Sequence, residues 1–515
     1  MNRRFFVSVL MAAGSLIAAD THVWKVAGPP PESWQHDRVA DLASHRKAVM
    51  EQLGNKAILI LYAAEPRNYA GDVDWPYRQE NDFFYLTGLT QEGSKLVLIP
   101  GEEKIREILF MPPSNPRQES WTGHILTAEE GRQISGIQEI WDARNFDSFL
   151  ATLIPQAKAA MAEPAGQAPP AIPVDVDKEF AKTIAAVADK SAELYMLTGK
   201  SPEYRREVEF TEKLTAAYPG FTIKNPAQIF GNLRAVKSAR EIDLLKHAEE
   251  ITAEAFQRTY AVAIPGTPEY EIQAQFEFTF LRRNAHWGYP CIVASGVNAT
   301  TLHYETNRDI MKAGDLLLMD DAAEFGGYSV DITRTIPVNG KYSKEQAEIY
   351  RLVWEGQRAG IQSALPGKTN ADITAAADKV MAEGLVKLGL MTDVKSKQQL
   401  GIWFNHGIGH GIGLNVHDPG RKEFQPGMAI TVEPGIYIRP DVLDNLPKTP
   451  ENEKFITAVK RAFEKYKGIG VRIEDDVLIT NGEPQVLSAG IPSKLEEVEA
   501  TIAQLRKTLK TTPLP

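Results

Sequence analysis

The stretch Leu316–Thr335, LLLMDDAAEFGGYSVDITRT, constrains this chain more than any other, because it encodes a reversal and puts two carboxylates on one face of it. Leu316–Met319 is a short apolar run suited to a buried strand, Tyr328–Ile336 alternates, and Phe325-Gly326-Gly327 supplies the turn. A loop of Phe325-Gly326 sets Asp320 directly opposite Asp331; a loop of Gly326-Gly327 offsets them diagonally but keeps both on the same face. Opposed Cβ atoms lie about 4.5–5.5 Å apart, and ionised carboxylates at that range repel unless they share a proton or a cation. The stretch therefore reads as part of a metal site. A lone Asp at a strand end is ordinarily a turn residue, so the reading depends on further ligand-type residues downstream.

Composition sets the outer limits. The 515 residues allow two or three domains with sizeable cores, and 43% hydrophobic with 24% charged content is that of a soluble globular protein. A net charge of −10 argues against a nucleic acid or an anionic membrane as partner. Cys291 is the single cysteine, which excludes an internal disulfide framework and a cysteine-based zinc cluster.

Met1-Asn2-Arg3-Arg4 followed by Phe5–Ala19 has a basic start and an apolar stretch too short and too rich in Gly and Ala to span a bilayer comfortably. It reads as an export signal cleaved near Ala18-Ala19-Asp20, which points to a periplasmic or secreted protein. An uncleaved anchor is the alternative, since Ile17 stands where a small residue is usual. From Asp37 to Lys200 the pattern is mixed α/β, with a helix over Asp37–Leu53 and strands at Ala57–Tyr62, Phe83–Leu86 and Lys95–Ile99. Pro155–Pro173, rich in Ala and Pro, reads as a loop. This half carries no cluster of ligand-type residues and looks like a scaffold or substrate-shaping domain.

The second half opens on a capping box, Ser238 with Glu241, followed by Ile242, Leu245, Ala248, Ile251 and Ala255 at helical spacing. Thr267-Pro268 opens another helix with Pro at its first position, and Ile272, Phe276 and Phe280 share one face. Strands then fill Tyr289–Ile336. The order repeats: Ser343 caps a helix, Asn370 starts another, and strands follow from Ile402 to Ile438. Two helices then strands, twice over, suggests an internally duplicated domain with its site where the halves meet.

His406–Leu414, HGIGHGIGL, alternates glycines with His406, Ile408, His410, Ile412 and Leu414. So many glycines disfavour a helix, so His406 and His410 are not a helical zinc pair, and bare glycine faces let another backbone or a ligand approach closely. A phosphate loop would need a following Lys-Ser or Lys-Thr, which is absent. Glu433 is held extended by Pro434, and Arg472 and Glu474 share a strand face. With Asp320, Asp331 and His410, the acids Glu433 and Glu474 make four carboxylates and one imidazole, a set suited to two adjacent divalent ions. Oxygen-rich ligation favours Mn²⁺, Co²⁺ or Zn²⁺.

LHYETN at Leu302–Asn307, MDDAAEFGGYSVDITRT at Met319–Thr335, HGIGHGIGLNVHD at His406–Asp418, TVEPGIYI at Thr431–Ile438 and GVRIEDDVLIT at Gly470–Thr480 resemble the five signature segments of the pita-bread metallopeptidases. Within them the chain is most similar to aminopeptidase P, the Xaa-Pro aminopeptidases, and PYRQENDFFYLTGL at Pro76–Leu89 resembles that group's N-terminal domain. The resemblance implies an α/β (α+β) protein: a C-terminal pita-bread (creatinase/aminopeptidase) fold with an internal pseudo-twofold, preceded by a smaller mixed α/β domain. The divisions expected are a signal at 1–19, an aminopeptidase P-like domain at 37–200, a connecting segment at 201–231, the catalytic domain at 232–495 and a C-terminal tail at 496–515.

Carried onto this sequence, the resemblance implies that Asp320 chelates one ion, that Asp331 and Glu474 bridge two, and that His410 and Glu433 complete the shells around a metal-bridging hydroxide. Manganese is the first expectation, cobalt or zinc the alternatives. Glu433 corresponds to the family's proton shuttle, and His303 and His417 to the residues that stabilise the oxyanion and hold the peptide. His406, Tyr437 and Arg472 resemble the wall around the proline ring and its support; for Arg472, orienting Glu474 or Asp331 is an alternative role. The implied substrates are peptides with proline second, and the implied assembly is a dimer or tetramer. The long segment Arg439–Lys467 is reminiscent of prolidases, so an Xaa-Pro dipeptidase is the alternative function. A creatinase-like C–N hydrolase or a non-catalytic protein of the same fold would lack the carboxylate set.

Overall fold

The apolar run Ala57–Tyr62 (β1) lies at the centre of the N-terminal half, where period-two alternation sends Ile58 and Ile60 to one core and Leu59 and Leu61 to another. The computed structural model describes residues 24–161 and 170–510; the expected signal at 1–19 and the middle of the Ala- and Pro-rich loop lie outside them. β1 joins β2 (Lys95–Ile99), β3 (Arg106–Met111), β4 (Glu139–Asp142), β5 (Glu193–Met196) and β6 (Thr222–Lys224) in a sheet of order β4-β3-β2-β1-β5-β6. Helix α1 (Arg38–Leu53) buries Val49, Met50 and Leu53 in the core that Leu59 and Leu61 share with the C-terminal half.

Phe83–Leu86, expected as a strand, is helical within α2 (Asn81–Thr87). The run is too short for periodicity to decide, and its caps decide instead. Glu80 accepts the Phe83 N–H at 2.7 Å, and Gly88 ends the helix in the left-handed conformation at φ 64°. Helix α3 (Ala227–Arg234) then leads into the second half.

There the capping box forms as read, and α4 (Ala239–Val262) is buried along most of its length. α5 (Glu269–Arg282) follows, with Pro268 as its extended N-cap rather than its first helical residue. Strands β7 (Ile292–Ser295), β8 (Leu316–Asp320), β9 (Ala323–Phe325), β10 (Tyr328–Ser329) and β11 (Thr333–Pro337) come next. The order recurs with α6 (Lys344–Gln362), α7 (Asn370–Leu388), β12 (Ala429–Val432), β13 (Gly435–Tyr437), α8 (Pro450–Tyr466), β14 (Gly470–Arg472) and β15 (Asp475–Leu478). The helix α9 (Leu495–Leu509), in the stretch set apart as a tail, buries Leu495, Val498, Ile502 and Leu505.

Strands were expected throughout Ile402 to Ile438, but residues 397–403 are helical and regular strand begins only at β12. His406–Leu414 is nevertheless extended beside β12: Glu433 N–H donates to Ile408 O at 2.8 Å, Thr431 N–H to His410 O at 2.9 Å, and Ile412 N–H to Ala429 O at 3.1 Å. A Cβ on Gly409 would overlap the Thr431 carbonyl, and one on Gly411 would lie 2.7 Å from Asp418 O. The glycines are what allow this packing. The two halves are joined where β11 meets β14: Glu474 N–H donates to Thr333 O at 3.1 Å, and Thr335 Oγ1 donates to Arg472 O at 2.9 Å.

Candidate metal centre

The reversal is Gly326-Gly327, both at positive φ (60° and 89°), with Phe325 opposite Tyr328. In the same register Asp320 faces Thr333, so Asp331 is diagonal to Asp320 rather than across from it. The alternative loop of Phe325-Gly326 is excluded. Matched parity still directs both carboxylates to one side, and both line a cavity of about 560 Å³.

Every expected ligand lines that cavity: Asp320 and Asp331 from the reversal, His410 from the glycine-rich segment, Glu433 after β12 and Glu474 after β14. Ligand atoms of Asp331, His410 and Glu474 lie within 4.8 Å of one another. His410 Nε2 is 3.4 Å from Asp331 Oδ2 and 3.6 Å from Glu433 Oε1. Its Nδ1 lies 3.1 Å from the Gly411 carbonyl, which only an N–H can satisfy, so Nε2 is the ring nitrogen that faces the carboxylates. Asp320 directs Oδ1 to Tyr289 OH at 2.6 Å and Oδ2 to Arg472 Nη2 at 2.6 Å.

Crowding shapes the electrostatics. Burial raises the Asp331 and Glu474 carboxyls, and the neighbouring acids raise them further. Burial likewise lifts Glu433 to about 8, against the Arg472 charge. Burial opposes charge on His410, yet Asp331 and Glu433 bring it up to about 9. Four carboxylates face one guanidinium and one imidazole whose Nε2 points among them. This donor set fits two divalent cations.

Of the remaining expected residues, His303, His406, His417 and Arg472 line the same cavity. The His417 ring stands edge-on to His410, centroids 4.2 Å apart, and burial with the His410 charge lowers its pKa. His406 Nε2 lies 2.8 Å from Tyr437 OH, and burial, with Arg472 nearby, pulls it down to about 4. Tyr437 lies behind His406 and Arg472 and does not line the cavity, accepting from Arg472 Nη1 at 2.9 Å. Cys291 is buried, as a small apolar residue would be.

Three supports escaped the sequence reading. Tyr289 donates to Asp320; Thr333 Oγ1 donates to Glu474 Oε2 at 2.6 Å; Asp476 Oδ2 accepts the Asp331 N–H at 2.9 Å. Parity could have found Thr333, which shares a face with Asp331. Nothing in the sequence around Tyr289 marks it.

Residues 243–481 match the model of metallopeptidase family M24, and residues 42–161 match that of the aminopeptidase P N-terminal domain. The chain is 31% identical to the Xaa-Pro aminopeptidase of Haemophilus influenzae, covering 89% of this chain and 96% of that one. The chain belongs to the aminopeptidase P group of metallopeptidase family M24. An alanine variant of Escherichia coli aminopeptidase P in complex with substrate superposes with TM-score 0.75 at 30% identity, covering 91% of this chain and 99% of that one. Zinc-substituted E. coli aminopeptidase P in complex with product superposes with TM-score 0.74 at 30% identity, covering 91% and 98%. The M24 match spans every residue of the centre described above. The residues that match the aminopeptidase P N-terminal domain precede those that match the metallopeptidase family.

Proposed function

We propose that this metallopeptidase removes the N-terminal residue from peptides with proline second, using two divalent ions held by Asp320, Asp331, His410, Glu433 and Glu474. The observation that carries this reading is the convergence of Asp331, His410 and Glu474 within 4.8 Å in a cavity that His303, His406 and His417 also line. Bound there, two such cations polarise a scissile carbonyl and make a water nucleophilic at neutral pH. Manganese is the ion we favour, since oxygen donors dominate the set.

The rest of the chemistry falls to the chain. Glu433 takes a proton from the attacking water and passes it to the proline nitrogen as the C–N bond breaks. His417 and His303 donate to the oxygen that gains charge as the carbonyl carbon becomes tetrahedral. His406 and Arg472, backed by Tyr437, form the wall against which the proline ring rests. Proline's tertiary amide lacks the N–H that strand-like docking needs, so a pocket shaped to the ring turns that lack into selectivity.

A dipeptidase must neutralise a free carboxylate close to the site. The 439–467 segment that could supply this buries Phe455, Val459 and Phe463, and Tyr466 OH donates to Glu348 at 2.6 Å; none of it lines the cavity. That favours the aminopeptidase over the prolidase.

We also read 1–19 as an export signal, the two domains as 37–200 together with β6 and 232–495 together with α9, and the assembly as a dimer or tetramer. No described helix is long and apolar enough to cross a membrane. Elemental analysis tests the centre: purified wild type should hold two ions per chain, and Asp331→Asn should lose metal and peptide hydrolysis together. Full activity without bound metal would overturn the proposal.

A further inference from the structure

Asp418 follows His417 directly, and its side chain is 1% exposed. Its Oδ1 accepts from Arg234 Nη2 and from Asn415 N–H, and its Oδ2 is 3.5 Å from Lys237 Nζ. The other arm of the same guanidinium, Nη1, reaches Asp82 Oδ1 at 2.7 Å. Asp82 belongs to α2 of the N-terminal domain, and Arg234 is the last residue of α3, between the domains. The same N-terminal stretch makes a second contact, since Arg78 Nη2 donates to Leu414 O at 2.7 Å. The loop that carries His417 is thus held at Leu414 by the N-terminal domain directly and at Asp418 through Arg234, whose other arm that domain holds.

Two carboxylates and two cations balance here, but burying them is a poor route to stability, since desolvation offsets most of the attraction. A fork held between two buried acids does fix geometry. We propose that Arg234, clamped between Asp82 and Asp418, is a positioning residue that transmits the placement of the N-terminal domain to His417. The N-terminal domain then acts on the reaction within its own chain, by holding His417 against His410. This rests on the role given to His417 above.

Asp82→Asn keeps the side-chain volume and removes one charge; Arg234→Lys keeps the charge balance and loses the fork. Both are made in the metal-loaded full chain and in a His417→Ala background. Each should retain the fold and metal content, lower kcat on an Xaa-Pro-Xaa peptide about 10–100-fold with KM little changed, and speed amide exchange at Asn415 and Asp418. In the His417→Ala background the same changes should cost less than about threefold, because the group they position is gone. An equal loss with and without His417, or unchanged exchange in this loop, would overturn the proposal. If His417→Ala alone turns over at the wild-type rate, the role of His417 fails, and the exchange measurement decides the clamp by itself. Arg234→Lys carries the same reading if Asp82→Asn does not fold.

Discussion

Arg472 reaches Asp320 across the seam between the two halves, Nη2 to Oδ2 at 2.6 Å. Its Nε and Nη1 donate to Thr333 and Tyr437 at 3.0 and 2.9 Å, so one guanidinium fixes the Asp320 carboxylate together with the Thr333 and Tyr437 side chains. Arg472→Lys replaces this planar fork with a single point charge. We expect kcat/KM to fall about 10–100-fold with weaker metal retention, read by steady-state kinetics and elemental analysis. Wild-type values in both would remove Arg472 from the support of Asp320.

Glu433→Gln preserves shape and takes away the group proposed to accept the water's proton. Turnover should drop by about 10²–10⁴, while the circular dichroism spectrum and melting temperature stay close to wild type. Near-normal kcat would assign the proton transfer elsewhere.

Cation binding must displace the protons that the metal-free centre holds. With His410 at about 9 and Glu433 at about 8, both groups are largely protonated at neutral pH. Metal affinity should therefore weaken as pH falls, and activity should fade below about pH 6. Calorimetric Mn²⁺ titrations in buffers of different ionisation heat should detect net proton release near pH 7; binding without release would contradict this.

His45 on α1 faces Asp41 of its own helix and Glu241 of α4, each 3.6 Å from Nε2, while Nδ1 lies 3.0 Å from Tyr85 O and Arg240 stands 3.6 Å beyond Asp41. Burial opposes its charge, but Glu241, Asp41 and the carbonyl raise its pKa above the ordinary value. The folded pKa exceeds the unfolded one, so this stabilisation is fully present below about pH 6.5 and is lost as pH rises through the folded value. The melting temperature of wild type should exceed that of His45→Gln most at about pH 6, with the gap closing as pH rises past the ordinary histidine range. A gap independent of pH would show that His45 is not charged in the fold.

The convergence of Asp320, Asp331, Glu433, Glu474 and His410 was legible because strand parity and glycine spacing are local. Asp320 and Asp331 share a face whichever two residues turn, so the uncertain register did not obscure the pair. The glycines of His406–Leu414 marked a close approach, which Gly409 and Gly411 make. The α2 helix was not legible, since Phe83–Leu86 is as apolar as a buried strand and only the Glu80 cap and Gly88 decide it. Nor was the clamp at Arg234: Asp82, Arg234 and Asp418 are separated by 152 and 184 residues, and no periodicity links them.

The most direct measurement is a mass-spectrometric time course on the Mn²⁺-loaded protein, offered an Xaa-Pro dipeptide and an Xaa-Pro-Xaa tripeptide together. Release of the first residue from the tripeptide while the dipeptide persists is the predicted result. Cleavage of the dipeptide alone, with the tripeptide intact, would contradict it and make the enzyme a prolidase.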